Sequence, residues 1–233
     1  MQKAFFAVLL MTTLLLCSCS ELKVGPDVHQ RIYEKYSTMQ SYHAVVKVST
    51  ISGEKTNVYT MSQYYKFPDK MRSEGIEPNS IAGFYTVTNG SDTAVYSNAE
   101  KQPVRVSGEG ADYTDYAFLN NFFSRFYDRE NAITTGAKTE EGQLIDLTVE
   151  DLGDNPYRQK MVLQMDKDTI QPVRLSVYGQ DDKEYFRVEY EQFAINEVVE
   201  DALFAIEENA NNAPNIENTD NDMVAENTEK TNP

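Results

Sequence analysis

The residues best placed for covalent chemistry stand at the amino terminus. There an apolar run from Ala4 to Leu16 follows Lys3 and ends in Leu16-Cys17-Ser18-Cys19. A small residue directly before a cysteine, with an aliphatic residue two places ahead of it, is what bacterial lipoprotein processing requires. Ser18 and Leu16 meet that requirement for Cys19, whereas Cys17 has the bulky Leu16 directly in front of it. The expected chemistry is acyl (palmitate-type) attachment to Cys19 after removal of residues 1–18. The apolar run, roughly 13 residues, suits the core of an export signal and falls short of the roughly 20 needed to cross a bilayer. The resulting expectation is a lipid-anchored protein on the extracytoplasmic face of the cell membrane, or of an outer membrane in a Gram-negative cell.

Other reactive side chains are sparse. Cys17 and Cys19 are the only cysteines, so the mature domain keeps no free thiol, which rules out a disulfide framework and a cysteine nucleophile. The two histidines, His29 and His43, fall on an expected helix and an expected strand with no G-x-S-x-G elbow nearby, and read as structural or surface residues. Asp166-Lys167-Asp168 and Asp181-Asp182 lack the glycine and distal glutamate of an EF-hand loop and read as turns. No pair of carboxylates stands out for glycoside chemistry. Asn89-Gly90-Ser91 matches a glycosylation sequon, but Asn-Gly between two strand patterns suits a type I′ hairpin turn. We therefore expect no catalytic residue, no metal and no cofactor, and a binding protein rather than an enzyme.

The formal net charge of -16 over 233 residues repels phosphate backbones and anionic headgroups, excluding nucleic acid and a basic membrane-docking surface. Without the signal segment and a polar tail, roughly 190 residues remain, enough for one domain with a sizeable core. The expected organisation is a signal peptide over 1–18, a lipidated spacer over 19–26, one domain over 27–207, and a disordered acidic, asparagine-rich tail over 208–233.

Within the domain, Pro26 and Asp27 open a helix with Val28, Ile32, Tyr36 and Met39 on one face. From Tyr42 the period changes to two, with Tyr42, Ala44, Val46 and Val48 opposing His43, Val45, Lys47 and Ser49. Ser52-Gly53-Glu54-Lys55 turns the chain into a strand from Thr56 to Phe67, which ends at Pro68. Further strands are expected at Lys70 to Glu77, Gly83 to Thr88 and Thr93 to Tyr96. Asp112 to Tyr127 reads as a second helix, unusually aromatic, with Tyr116, Leu119, Phe122, Phe123, Phe126 and Tyr127 on one face. Strands resume at Asn131 to Thr135, Leu144 to Leu152, Tyr157 to Met165, Val173 to Tyr178 and Glu184 to Phe193. Short turns between successive strands imply an α+β fold with a largely antiparallel sheet.

Several segments in this order resemble the LolA/LolB-like lipoprotein-carrier superfamily, in its Gram-positive spore-former branch of GerS-type germination lipoproteins. They are Ser41-Tyr42-His43-Ala44, Tyr65-Lys66-Phe67-Pro68-Asp69-Lys70-Met71-Arg72, Val87-Thr88-Asn89-Gly90 and Gln171-Pro172-Val173. Ile195-Asn196 followed by Asp201-Ala202-Leu203-Phe204 is similar to the family's closing segment. The resemblance covers about residues 28 to 207 and implies a curved antiparallel sheet forming an incomplete barrel covered by helices. It also implies a concave apolar face able to receive acyl chains, with Tyr64, Phe67, Tyr116, Leu119, Phe122, Phe123 and Phe126 as candidate cavity and cap residues. The alternative for the aromatic helix is an ordinary packed core. Carriers of the Gram-negative branch place an arginine directly before the corner proline. This chain has Phe67 there, so that role is not transferred.

GerS-type proteins support a cell-wall amidase acting on spore cortex peptidoglycan. The implied partner is therefore an N-acetylmuramoyl-L-alanine amidase, docked by this non-catalytic protein. The other implied role is lipid or lipoprotein carriage. An exposed sheet edge would also permit homodimer pairing.

Overall fold

The computed structural model describes residues 24–97, 103–106, 116–128, 133–139, 142–150 and 152–206. The expected signal, Cys19, most of the spacer, residues 112–115 of the second expected helix and the tail from 208 lie outside the described residues. Among those described, no helix is long and apolar enough to cross a membrane.

Period-two sequence makes this molecule a sheet. The amino-terminal strands are β1 (Ser41–Ser52), β2 (Lys55–Lys66), β3 (Lys70–Glu77), β4 (Tyr85–Asn89), β5 (Asp92–Tyr96) and β6 (Val104–Val106). The carboxy-terminal strands are β7 (Ile133–Thr139), β8 (Gly142–Glu150), β9 (Lys160–Asp166), β10 (Pro172–Tyr178) and β11 (Glu184–Ile195). All eleven form one sheet in the order β6-β5-β4-β3-β2-β1-β11-β10-β9-β8-β7, and each pairing is antiparallel. The first and last strands meet at the centre, and the described edges are β6 and β7. The sheet is open, as an incomplete barrel requires.

One face of the sheet curls inward. Tyr42, Ala44, Val46 and Val48 of β1 are all buried, and they share a single core with Met71 on one wing and Ile145, Leu147 and Val149 on the other. Two helices lie against that face. Helix α1 (Pro26–Tyr36) begins at a proline, carries Asp27 in its first turn and Lys35 in its last, and buries Val28, Ile32 and Tyr36. Helix α2 (Leu119–Tyr127) buries Leu119, Phe122 and Phe123. It is shorter than the sequence suggested. Phe118 is extended at φ -103, ψ 135, so Tyr116, Ala117 and Phe118 enter the core ahead of the helix.

Donors on α1 converge on the turn between β9 and β10. The Arg31 guanidinium donates to Asp168 O at 2.5 Å, Lys35 Nζ to Ile170 O at 2.9 Å, and Tyr36 Oη to Ile170 O at 2.7 Å. Ile170 itself is buried and holds φ 53, an unfavourable conformation for a β-branched residue that packing and the docked helix maintain. Asp166 closes the turn by accepting from Thr169 N and Thr169 Oγ1, both at 2.7 Å. Both acidic clusters are turns, as expected.

Local details depart from the sequence reading, among them the start of β9 at Lys160 rather than Tyr157, which leaves Tyr157 in a loop. Strand β6 was not anticipated. The chain between β4 and β5 turns at Gly90-Ser91, where Gly90 alone has positive φ, 64°, which is the II′ rather than the I′ pattern. And β2 ends at Lys66, one residue before Phe67.

A second, smaller cluster sits on the convex face. Val87, Ala94 and Tyr96 pack there against Val199 and Phe204, flanked by Tyr64, Tyr85 and Leu203. The closing segment is tied down by Lys66 Nζ to Val199 O at 3.0 Å, Arg72 to Leu203 O at 3.0 Å and Asn89 Nδ2 to Phe204 O at 3.3 Å. Arg72 also lies over the Tyr85 ring at 3.9 Å.

Candidate functional site

The concave face has two ends, set by the direction of β1. At the Tyr42 end the helices fill it. Tyr42 Oη accepts a hydrogen bond from Leu119 N at 3.2 Å, Tyr36 stacks on Phe123 at 4.3 Å, and Gln63 donates to Ala117 O at 3.1 Å. Leu119 and Phe122 have no exposed surface, and burying side chains of this size contributes roughly 1.5–3 kcal/mol each. Burial holds the tyrosines here neutral: it pushes the Tyr42, Tyr36 and Tyr190 hydroxyls well above the usual range. Tyr65, also pushed by burial, reaches about 12.

At the Thr50 end the helices stop short, and two cavities open side by side with Thr50 in the wall of both. The larger, about 370 Å³, is bounded by Ile51, Tyr116, Tyr157, Arg158, Val177, Tyr185 and Phe186. The smaller, about 280 Å³, lies over β2 to β5, between Tyr59, Met61, Ile81, Phe84 and Val95. Both volumes fall at or just below the lower end of the range for small-molecule pockets.

Turns rather than strands build the mouth of the larger cavity. Gln180 N donates to Pro156 O at 2.7 Å and Gln159 N to Tyr178 O at 2.8 Å, which clamps the 153–159 loop against the β10–β11 turn. A Cβ on Gly179 would come within 2.6 Å of the Tyr185 ring and 2.7 Å of Pro156 O, so only glycine allows that approach. Tyr157 then meets Tyr185 edge to face at 5.0 Å, and Arg158 lies over Tyr116 at 4.8 Å, with Arg125 over the same ring at 5.3 Å.

Of the candidate cavity and cap residues, Tyr116 alone lines either of these two cavities. Leu119, Phe122 and Phe123 are core, and Phe126 packs at its margin, so α2 is a plug at the Tyr42 end. Tyr64 is corrected to the convex face, where it stacks on His43 at 4.5 Å, because alternation along β2 turns Tyr65 inward and Tyr64 outward. Phe67 is corrected to the surface: it is 57% exposed beyond the end of β2, at a cis Phe67-Pro68 bond. Sequence reasoning missed Tyr157, Arg158, Tyr185 and Phe186.

No catalytic constellation appears among the described residues. His29 is exposed on α1, and His43 Nε2 meets Ser62 Oγ at 3.0 Å on the convex face. No group of three or more potential metal ligands occurs among them either.

A family model described as "Sporulation protein YdcC-like" matches residues 2–204. A search of curated proteins finds no match. Among solved structures, the chain is similar to an uncharacterized conserved protein from Thermus thermophilus, at 15% identity and TM-score 0.50, covering 79% of this chain and 94% of that one. It is also similar to a LolA superfamily protein from Nitrosomonas europaea, at 14% identity and TM-score 0.41, covering 76% and 96%. A third similar structure is the CwlD amidase from Clostridioides difficile in complex with the GerS lipoprotein, at 22% identity and TM-score 0.45, covering 74% and 96%.

Proposed function

Because this chain belongs to the family of YdcC-like sporulation proteins, we propose that it is a membrane-anchored, extracytoplasmic lipoprotein serving sporulation as the non-catalytic partner of a cell-wall amidase. The observation that carries this reading is the plug. Where a carrier would receive acyl chains, the concave face is occupied by the protein's own Tyr36, Leu119, Phe122 and Phe123. That leaves the outer surface and the edges β6 and β7 to engage another protein. The amidase as partner class follows the GerS-type resemblance of the sequence, and a GerS lipoprotein has been solved with the CwlD amidase. Anchoring through Cys19 follows from the processing pattern around it.

A second reading, lipid or lipoprotein carriage, is favoured by the two cavities at the Thr50 end. Native mass spectrometry on the tagged full-length protein, extracted in mild detergent from growing and from sporulating cells, separates the two. An amidase-sized companion at equal stoichiometry, present in sporulating cells and free of lipid, supports partnership. Bound lipid or acylated peptide with no protein companion replaces partnership with carriage.

A further inference from the structure

The larger cavity carries a feature that neither reading uses. Its walls are mostly aromatic and aliphatic, with the hydroxyls of Thr50 and Ser52 among them, and a guanidinium, that of Arg158, stands at its mouth. The carboxylates of the adjoining β10–β11 turn and the start of β11 already have partners. Asp181 accepts from Lys183 Nζ at 2.8 Å and Tyr185 Oη at 3.2 Å, Asp182 pairs with Lys160 at 2.7 Å, and Glu184 pairs with Arg187. The Arg158 side chain makes no ion pair or hydrogen bond among the described residues, and its one described contact is the face of Tyr116.

A guanidinium held over a ring keeps its in-plane N–H donors turned outward, and those donors match a carboxylate or phosphate. In a chain of net charge -16 the long-range field disfavours anions, so an anion site needs such a local, oriented cation.

We propose that the cavity bounded by Tyr116, Tyr157, Arg158, Val177, Tyr185 and Phe186 binds a small organic anion. The ligand's carboxylate or phosphate pairs with Arg158, and its ring or short apolar body lies between the tyrosines and Val177. Tyr157, 58% exposed and held edge to face against Tyr185 at 5.0 Å, forms the outer wall. None of these lining residues lies on the edge strands β6 or β7.

The test uses the full chain and two fluorescent probes of similar size: the sulfonate 1-anilinonaphthalene-8-sulfonate and the uncharged N-phenyl-1-naphthylamine. The expected result is saturable sulfonate binding, tighter than that of the neutral probe. Arg158→Gln should weaken sulfonate binding about tenfold or more, the scale of a charge-assisted contact, and leave the neutral probe unchanged. Val177→Phe should reduce both by filling the cavity. Circular dichroism melts on each variant confirm that the comparison is between folded proteins.

Displacement of the sulfonate by lysophosphatidylglycerol identifies a lipid source for the anion, and displacement by N-acetylmuramic acid a cell-wall source. Equal binding of the two probes, or a loss in Arg158→Gln smaller than about twofold, would overturn the proposal, as would no binding of either probe.

Discussion

Replacing Phe122 by alanine decides whether α2 is a plug or a movable cap. The Phe122 side chain has no exposed surface and sits 5.6 Å from the Phe123 ring, edge to face, and 5.8 Å from Phe126. Truncating so buried a ring removes its transfer free energy and leaves a void, a combined cost of about 3–5 kcal/mol. For a domain of this size each kcal/mol lowers Tm by about 2–4 °C, so the melt should fall by about 6–20 °C. The assay is urea and thermal unfolding followed by far-ultraviolet circular dichroism. Phe67→Ala is the control, expected to change stability by less than about 0.5 kcal/mol because that ring is 57% exposed. A cost below about 1 kcal/mol for Phe122→Ala would mean that the helix is not packed on the sheet. The plug would then be a lid, and the case for partnership over carriage would lose its structural basis.

Gly179→Ala should destabilise by about 1–3 kcal/mol, since its methyl meets Tyr185 and Pro156 at 2.6 and 2.7 Å; a neutral effect in urea unfolding would refute the tight junction behind the larger cavity. Phe204→Ala, in the convex cluster with Val87 and Ala94, should cost about 3–5 kcal/mol or release the closing segment, and limited proteolysis beyond Asn196 distinguishes these outcomes. Stability should be flat through neutral pH and fall as pH rises above about 10. Tyr65, raised to about 12, and the more deeply buried Tyr36 and Tyr42 stay protonated in the folded chain after unfolded tyrosines have ionised, so fewer protons are bound unfolded than folded in that window. Thermal melts from pH 8 to 12 test this, and an unchanged Tm up to pH 12 would contradict it.

The sheet was legible because its signal is local. Tyr42, Ala44, Val46 and Val48 alternate with polar or less buried neighbours along one strand, and the same period recurs down the chain. Strand β6 spans three residues, too few to establish a period. The start of α2 was misplaced because Tyr116 and Phe118 are apolar and buried whether helical or extended, so burial could not distinguish the two. The larger cavity was invisible for a different reason. Thr50, Tyr116, Arg158 and Tyr185 come from four separate segments, and only the folded sheet brings them together. A glycine directly after a strand, as at Gly179, is compatible with a close approach but does not name the partner.

The central pairing of β1 with β11, which joins Tyr42 to Ile195, has a consequence for the order of assembly. A ribosome or a translocation pore delivers this chain amino terminus first, so the hairpin of β1 and β2 and the rest of its wing can form early. Until Glu184–Ile195 emerges, however, the hydrogen-bonding groups of β1 that face β11 have no partner, on a strand whose inward side chains from Tyr42 to Val48 are apolar. An incomplete chain therefore exposes its most aggregation-prone edge in the middle of the future sheet. The slowest step should be this closure across some 150 residues. Cells that make the protein have reason to hold the early wing apart until the last strand arrives.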